Sequence, residues 1–310
     1  MKVIFMGTPD FAVATLEEII AAGHEVTLVI TQPDKPKGRG KEVQFPPVME
    51  AALAHGIEVY QPVRVKEPEC VSYLAKYQPD IIIVAAFGQI LPKEILEMPK
   101  YGCVNVHASL LPKYRGAAPI QWAVINGDKV SGVTTMRMDA GLDTGDMIEC
   151  TEVTLAPDET GGSLFDRLAD AGAKLCVSTM AKIEAGTATY TKQEDEKATH
   201  TRMISKKMGK INWKASAAEI ERLIRGLNPW PSAYTFLDGK TLKIWRAAVL
   251  SGGDPENAGC IVTAEKEKLH IQTGDGILAL EEVQLEGKKR MKTEDFLRGH
   301  SIPAGTYIDE

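Results

Sequence analysis

The sequence predicts an α/β protein: a Rossmann-like, doubly wound parallel sheet followed by a small C-terminal β-barrel. Three observations carry this expectation. Short apolar runs alternate with amphipathic helical segments through the first 185 residues, the pattern of parallel strands joined by crossover helices. The run IIIVAA (81–86) is apolar throughout, as for a central strand covered on both faces. Beyond residue 228 the helical period gives way to short β-like runs separated by turn signals.

The elements follow in order. KVIFM (2–6) ends at Gly7, and Thr8 followed by Pro9 reads as an N-cap with proline at the first helical position. The helix it opens is carried by Phe11, Leu16 and Ile19 and stopped by Gly23, ahead of the strand EVTLVI (25–30). A helix near 47–55, a strand at 57–60 and a helix near 66–77 come next. After IIIVAA, CVNV (103–106), a helix at 117–126 and GVTTMRM (132–138) continue the parallel series. A long helix over 161–185 closes it, with Gly186 as a C-cap. The stretch 187–205 is rich in Thr, Lys and Glu and aperiodic. The helix SAAEIERLIRGL (216–227) ends at Asn228-Pro229, and the β-like runs SAYTFL, TLKIWRAAVL, CIVTA, KLHIQT and GILALEEVQL follow. That spacing suits a small antiparallel, OB-like barrel. The division expected is 1–189 for the α/β domain, 190–205 for a linker and 206–310 for the barrel domain, in keeping with two domains for 310 residues.

Composition narrows the classes. No apolar run reaches the roughly 18–20 residues of a membrane span, and the N-terminus has no secretory pattern. Five scattered cysteines without a C-x-x-C pair argue against a disulfide framework or a zinc site and fit a reducing cytoplasm. No dimerisation stripe is evident, so a monomer is expected. The net charge of −6 is uneven: through Ser205 it is −7, and beyond it +1. Arg202, Lys206, Lys207, Lys210 and Lys214 lie in a stretch without one acidic residue, and Lys288, Lys289, Arg290 and Lys292 form a second cluster. Such runs are solvated faces unless a polyanion engages them.

The loop Gly7-Thr8-Pro9-Asp10-Phe11 has one glycine where a dinucleotide fingerprint needs three, and no P-loop occurs, so nicotinamide and P-loop chemistry are set aside. The informative stretch is CVNVHASLLPKYRG (103–116). In an extended segment Asn105 and His107 share one face at the C-terminal end of a strand, where open α/β sheets place ligands. An imidazole can move a proton near neutrality, and an amide N–H can stabilise an oxyanion. The loop DAGLDTGD (139–146) supplies carboxylates at Asp139, Asp143 and Asp146. Their spacing does not match an EF-hand, but a carboxylate there can orient His107. A hydrolase built on Ser109 lacks the G-x-S-x-G turn.

N-x-H-x-S-L-L-P followed some thirty residues later by D-x-G-x-D-T-G resembles the folate-dependent formyltransferases. TQPDKPKGRG (31–40) resembles the basic loop of the members that act on tRNA, and Asn228-Pro-Trp-Pro231 is similar to theirs; the resemblance runs through essentially the whole chain. It implies Asn105, His107 and Asp143 as catalytic residues and no metal. It implies 10-formyltetrahydrofolate as formyl donor, held by Ser109, Leu110, Leu111 and Pro112 with Phe87, Gly88 and Ile90. It also implies the methionine α-amino group of initiator methionyl-tRNA as acceptor, in the service of translation initiation. For tRNA contact the expectation is Arg39 foremost, with Lys35, Lys37 and Lys41 in the loop and Lys206, Lys207 and Lys210 beyond. A sugar-nucleotide N-formyltransferase is the alternative; it shares the motif but has no need of the basic loop.

Overall fold

The computed structural model describes residues 1–37 and 42–308. Arg39 and Lys41 therefore lie outside the described residues. The chain forms two compact units, the first of residues 1–119, 130–154 and 165–201, the second of 120–129, 155–164 and 202–310. The segment 190–205, read as a linker, falls partly in each.

The elements are β1 (Lys2–Gly7), α1 (Asp10–Ala21), β2 (Glu25–Ile30), β3 (Lys35–Lys37), β4 (Glu42–Gln44), α2 (Pro47–Ala54), β5 (Val59–Tyr60), α3 (Pro68–Ala75), β6 (Ile81–Ala85), α4 (Lys93–Leu96) and β7 (Cys103–His107). After them come β8 (Arg115–Gly116), α5 (Pro119–Asn126), β9 (Val130–Arg137), β10 (Met147–Thr154), α6 (Gly161–Glu184) and β11 (His200–Thr201). Seven strands make the main sheet of the first unit, in the order β10-β9-β7-β6-β1-β2-β5. From β7 to β5 neighbours are parallel. Alternate residues Ile4, Met6, Leu28, Ile30, Ile82 and Val84 pack with Cys70, Leu74 and Ile95 into one core. Gly172 of α6 sits close over β7 and β9: a Cβ there would lie 3.0 Å from Val106 and 3.3 Å from Val133. Val106 thus points at α6, and by strand alternation Asn105 and His107 point to the opposite face.

Two expectations are corrected. β9 runs antiparallel to β7, and β10 antiparallel to β9, so the parallel series stops at β7. The reason is that a parallel neighbour needs a crossover helix of its own unit, and α5, apart from Pro119, belongs to the second. Thr8 does not cap α1: Pro9 holds the cap position with no side-chain bond, and the Thr8 hydroxyl accepts from the Gln32 N–H at 3.2 Å.

The second unit is built on α7 (Ala217–Gly226), β12 (Ala233–Leu237), β13 (Lys240–Leu250), β14 (Ile261–Glu265), β15 (Lys268–Gln272), β16 (Ile277–Leu285), β17 (Met291–Lys292) and α8 (Thr293–Gly299). The strands form one antiparallel sheet ordered β12-β13-β16-β15-β14, with β17 beside β16. Leu242, Ile244, Leu278, Leu280 and Val283 face a core completed by Ile220 and Ile224 of α7 and Phe296 of α8. Irregular pairing around Arg246 marks a bulge that bends β13 around this core. The start of α7 is fixed by a capping box in which Ser216 and Glu219 satisfy each other's backbone N–H groups. Segments from the first half join the unit through Arg222 Nε, which donates to the Ile125 carbonyl at 3.2 Å, and Arg225, which donates to the Glu159 carbonyl at 2.7 Å.

Candidate active site

Strand β7 brings its two polar residues to the C-terminal edge of the sheet. Asn105 lies opposite Val84 on one side and Met136 on the other, and His107 opposite Thr134. Both are nearly buried, at 9% and 7% exposure. Among the described residues no protein group is hydrogen-bonded to the Asn105 carboxamide, nor is the group sealed from solvent. A carboxamide in this setting has both its donors and its acceptor free of protein partners.

Both ring nitrogens of His107 face oxygen atoms. Its Nε2 lies 3.0 Å from the Tyr114 carbonyl, which can only accept, so Nε2 carries the proton of that bond. Its Nδ1 faces Asp143 Oδ2 at 3.8 Å, an ion-pair distance. Oxygen acceptors therefore stand at both sides of the ring. Asp143 Oδ2 also accepts from the Gly116 N–H at 2.8 Å. Both Tyr114 and Asp143 have left-handed backbones, with φ of 60° and 55°, and a non-glycine residue holds such a conformation only when its surroundings enforce it.

The surroundings here are specific. The Asp143 loop is closed by the Asp139 carboxylate, which accepts from the Gly141 N–H at 3.0 Å and the Thr144 hydroxyl at 2.6 Å. Asp146 contributes through its carbonyl, which accepts from the Arg137 N–H at 2.8 Å. At Gly145 a Cβ would overlap the Arg137 carbonyl, so only glycine lets the loop fold back. Cys103, two residues before Asn105, is no nucleophile: burial pushes its thiol up to about 12, against the lesser opposing pull of Arg137.

The residues expected to hold a folate divide by exposure. Ser109 is 1% exposed; its hydroxyl donates to the Lys113 carbonyl at 2.7 Å and its N–H to the His107 carbonyl at 2.9 Å. Phe87 is part of the core, and its carbonyl accepts from Gln32 Nε2 at 3.0 Å. Leu111 is buried, Leu110 and Pro112 are half-buried, and Gly88 and Ile90 are exposed just beyond β6. Among the described residues no cluster of three His, Cys, Asp or Glu is placed to hold a metal ion, and no helix is long and apolar enough to cross a membrane.

Of the cationic residues, Lys35 and Lys37 fall in β3. Lys206 and Lys207 are exposed on a 3-10 turn, Lys206–Gly209, that leads into β12 through a bridge between Lys210 and Tyr234. The Lys210 ammonium lies 5.5 Å from the Phe236 ring centre, and on the next strand Trp245 is approached by Lys243 and Arg290 at 5.7 and 5.0 Å. Burial alternates along β12 and β13, so Tyr234, Phe236, Lys243 and Trp245 share the outer face of this sheet. Sequence reasoning missed that face, because its residues are scattered from Lys210 to Arg290. It also missed Tyr114, whose carbonyl meets His107, Gln193, which donates to two backbone carbonyls, and Arg115, whose guanidinium meets the Gln193 and Asp195 side chains.

A family model for formyl transferase matches residues 1–180, and one for the formyl transferase C-terminal domain matches 203–301. The chain is 67% identical over 308 residues to a methionyl-tRNA formyltransferase of Agathobacter rectalis, covering 99% of each. It is 56% identical over 315 residues to that of Lachnospira eligens, covering 100% of each. Among solved structures, the sugar 3N-formyl transferase WlaRD, determined with dTDP and 5-N-formyl-THF, shares the fold. Its TM-score is 0.65 at 20% identity, over 93% of this chain and 99% of that one. With a relative of this identity spanning the whole length and both family models satisfied, the chain belongs to the formyl transferase family, in its methionyl-tRNA formyltransferase branch.

Proposed function

We propose that the chain moves a formyl group from 10-formyltetrahydrofolate to the α-amino group of methionine on initiator methionyl-tRNA. The observation that carries this reading is the unpartnered, nearly buried Asn105 carboxamide beside His107 and Asp143 at one sheet edge. The neutral amine attacks the formyl carbon, giving a tetrahedral intermediate with an oxyanion. The Asn105 amide N–H and the His107 Nε2–H, exchanged from the Tyr114 carbonyl, bind that charge; losing one such donor typically costs ~10²–10³ in rate. The bond from the carbon to N10 of the folate breaks as the oxyanion collapses; the doubly protonated imidazole of His107 passes its Nε2 proton to N10 and takes back, at the same nitrogen, the proton that the amine gives up. Asp143 orients the imidazole and offsets its charge when doubly protonated.

The tRNA half of the reading is supported by the exposed Lys206 and Lys207 and by the aromatic and cationic outer face of β12 and β13. A backbone polyanion rewards such cations through counterion release, and half-buried rings on the same face offer platforms for unpaired bases. The test is formyl transfer from 10-formyltetrahydrofolate to charged initiator tRNA, charged elongator methionine tRNA and an amino-sugar nucleotide in parallel. Formylation of the initiator, lost in Asn105→Ala and His107→Ala, is expected. Transfer to the sugar alone would overturn the acceptor, and full turnover of either variant would overturn the catalytic assignment.

A further inference from the structure

We infer that Gln193 and Arg115 are positioning residues, and that residues 193–201 act as a strut fixing both of the oxygens that flank the His107 ring. The inference rests on the roles proposed for His107 and Asp143 and extends them to residues that touch no substrate.

Gln193 is 4% exposed and uses its whole carboxamide. Nε2 donates to the Asp143 carbonyl at 2.9 Å and the Gly145 carbonyl at 2.7 Å, on either side of the turn that carries the Asp143 carboxylate. Oε1 accepts from Arg115 Nε at 2.9 Å. A flipped amide would set oxygen against two carbonyls and nitrogen against a guanidinium, so the orientation is unique. Arg115 is 3% exposed, and its other arm donates to Asp195 at 2.9 Å, on the solvent side of the strut.

The same segment holds the second acceptor. Thr199 Oγ1 accepts from the Tyr114 N–H at 2.8 Å, and the Thr199 carbonyl accepts from the Arg115 N–H at 2.8 Å. β11 then pairs in parallel with β8. At Gly116, whose N–H binds the Asp143 carboxylate, φ is +101° and a Cβ would stand 2.6 Å from the Thr201 carbonyl. The Tyr114 carbonyl and the Asp143 carboxylate, one at each side of the imidazole, are thus tied to one continuous segment. Their left-handed backbones are what such ties must maintain.

The test is made on the full chain, with kcat, KM for both substrates and the pH profile of kcat measured for each variant. Gln193→Glu keeps the acceptor for Arg115 and removes both donors; Gln193→Leu removes everything. Both are expected to lower kcat ~10- to 100-fold, the scale of a misplacement near 1 Å, with the folate KM unchanged. Their pH profiles should be displaced in the same sense as that of Asp143→Asn, and Gln193→Leu combined with Asp143→Asn should be no slower than Asp143→Asn alone. Should the Gln193 variants fail to fold, the exposed Thr199 decides. Thr199→Val should lose about fivefold in kcat, the scale of one hydrogen bond, and Thr199→Ser should restore it. Asp143→Asn at the full rate would overturn the catalytic reading and this inference with it. A slow Asp143→Asn beside full-rate Gln193→Glu and Thr199→Val would leave that reading standing and overturn the strut.

Discussion

The five cysteines give a direct chemical reading of the structure, because a thiol reacts as its thiolate. Burial raises Cys70 to about 11 and Cys103 and Cys176 to about 12, whereas Cys150 is exposed and Cys260 partly so. At pH 8 a group near 12 is ionised in only ~1 molecule in 10⁴. Iodoacetamide should therefore label Cys150 first and Cys260 next in the native protein, and the other three only on unfolding, as read by intact mass and peptide mapping. Glu149 offers a second test. Its burial opposes ionisation, but hydrogen bonds from Lys182, Thr179 and Ser178 outweigh that, and its pKa is lowered. A carboxylate depressed on folding contributes stability that is present above its unfolded value and lost as pH falls through the folded one. Melting temperature measured against pH should thus fall less steeply on the acid side in Glu149→Gln than in the unaltered chain.

At the scale of elements, caps and close approaches govern. Ser216→Ala removes one half of the capping box on α7 and should cost ~1 kcal/mol, read as a lowered midpoint in denaturant. Helices and strands were legible wherever burial follows a period: 47–55, 161–185 and 216–227 match α2, α6 and α7 within a few residues. The direction of β9 was not legible, because GVTTMRM reads alike in either direction and only the placement of α5 decides it. Asn105, His107 and Asp143 stood out because their side chains bear the chemistry. Gln193 did not, because its contacts are to carbonyls fifty residues away, and a carbonyl leaves no mark in a sequence. Lys206 and Lys207 were legible as charge, but Phe236 beside Lys210 and Trp245 beside Lys243 and Arg290 were hidden in the strand pattern.

For the whole molecule, the proposed tRNA partnership has an ionic signature. Affinity for initiator tRNA should fall steeply with salt. Changing Lys206 and Lys207 together to Ala should flatten the log–log slope by roughly 1–2, with folate binding unaltered, as followed by filter binding over a salt series. The division of the chain carries a further consequence. The second unit takes in 120–129 and 155–164, where Arg222 and Arg225 meet the carbonyls of Ile125 and Glu159, and a Cβ on Gly226 would run into Ile125. A chimera that exchanges everything after Ser205 with a relative would therefore splice through a packed core, whatever the sequence at the seam. A ribosome, too, has both early pieces of that core out of the exit tunnel before α7 exists, so they wait for their partners across more than fifty residues of later synthesis.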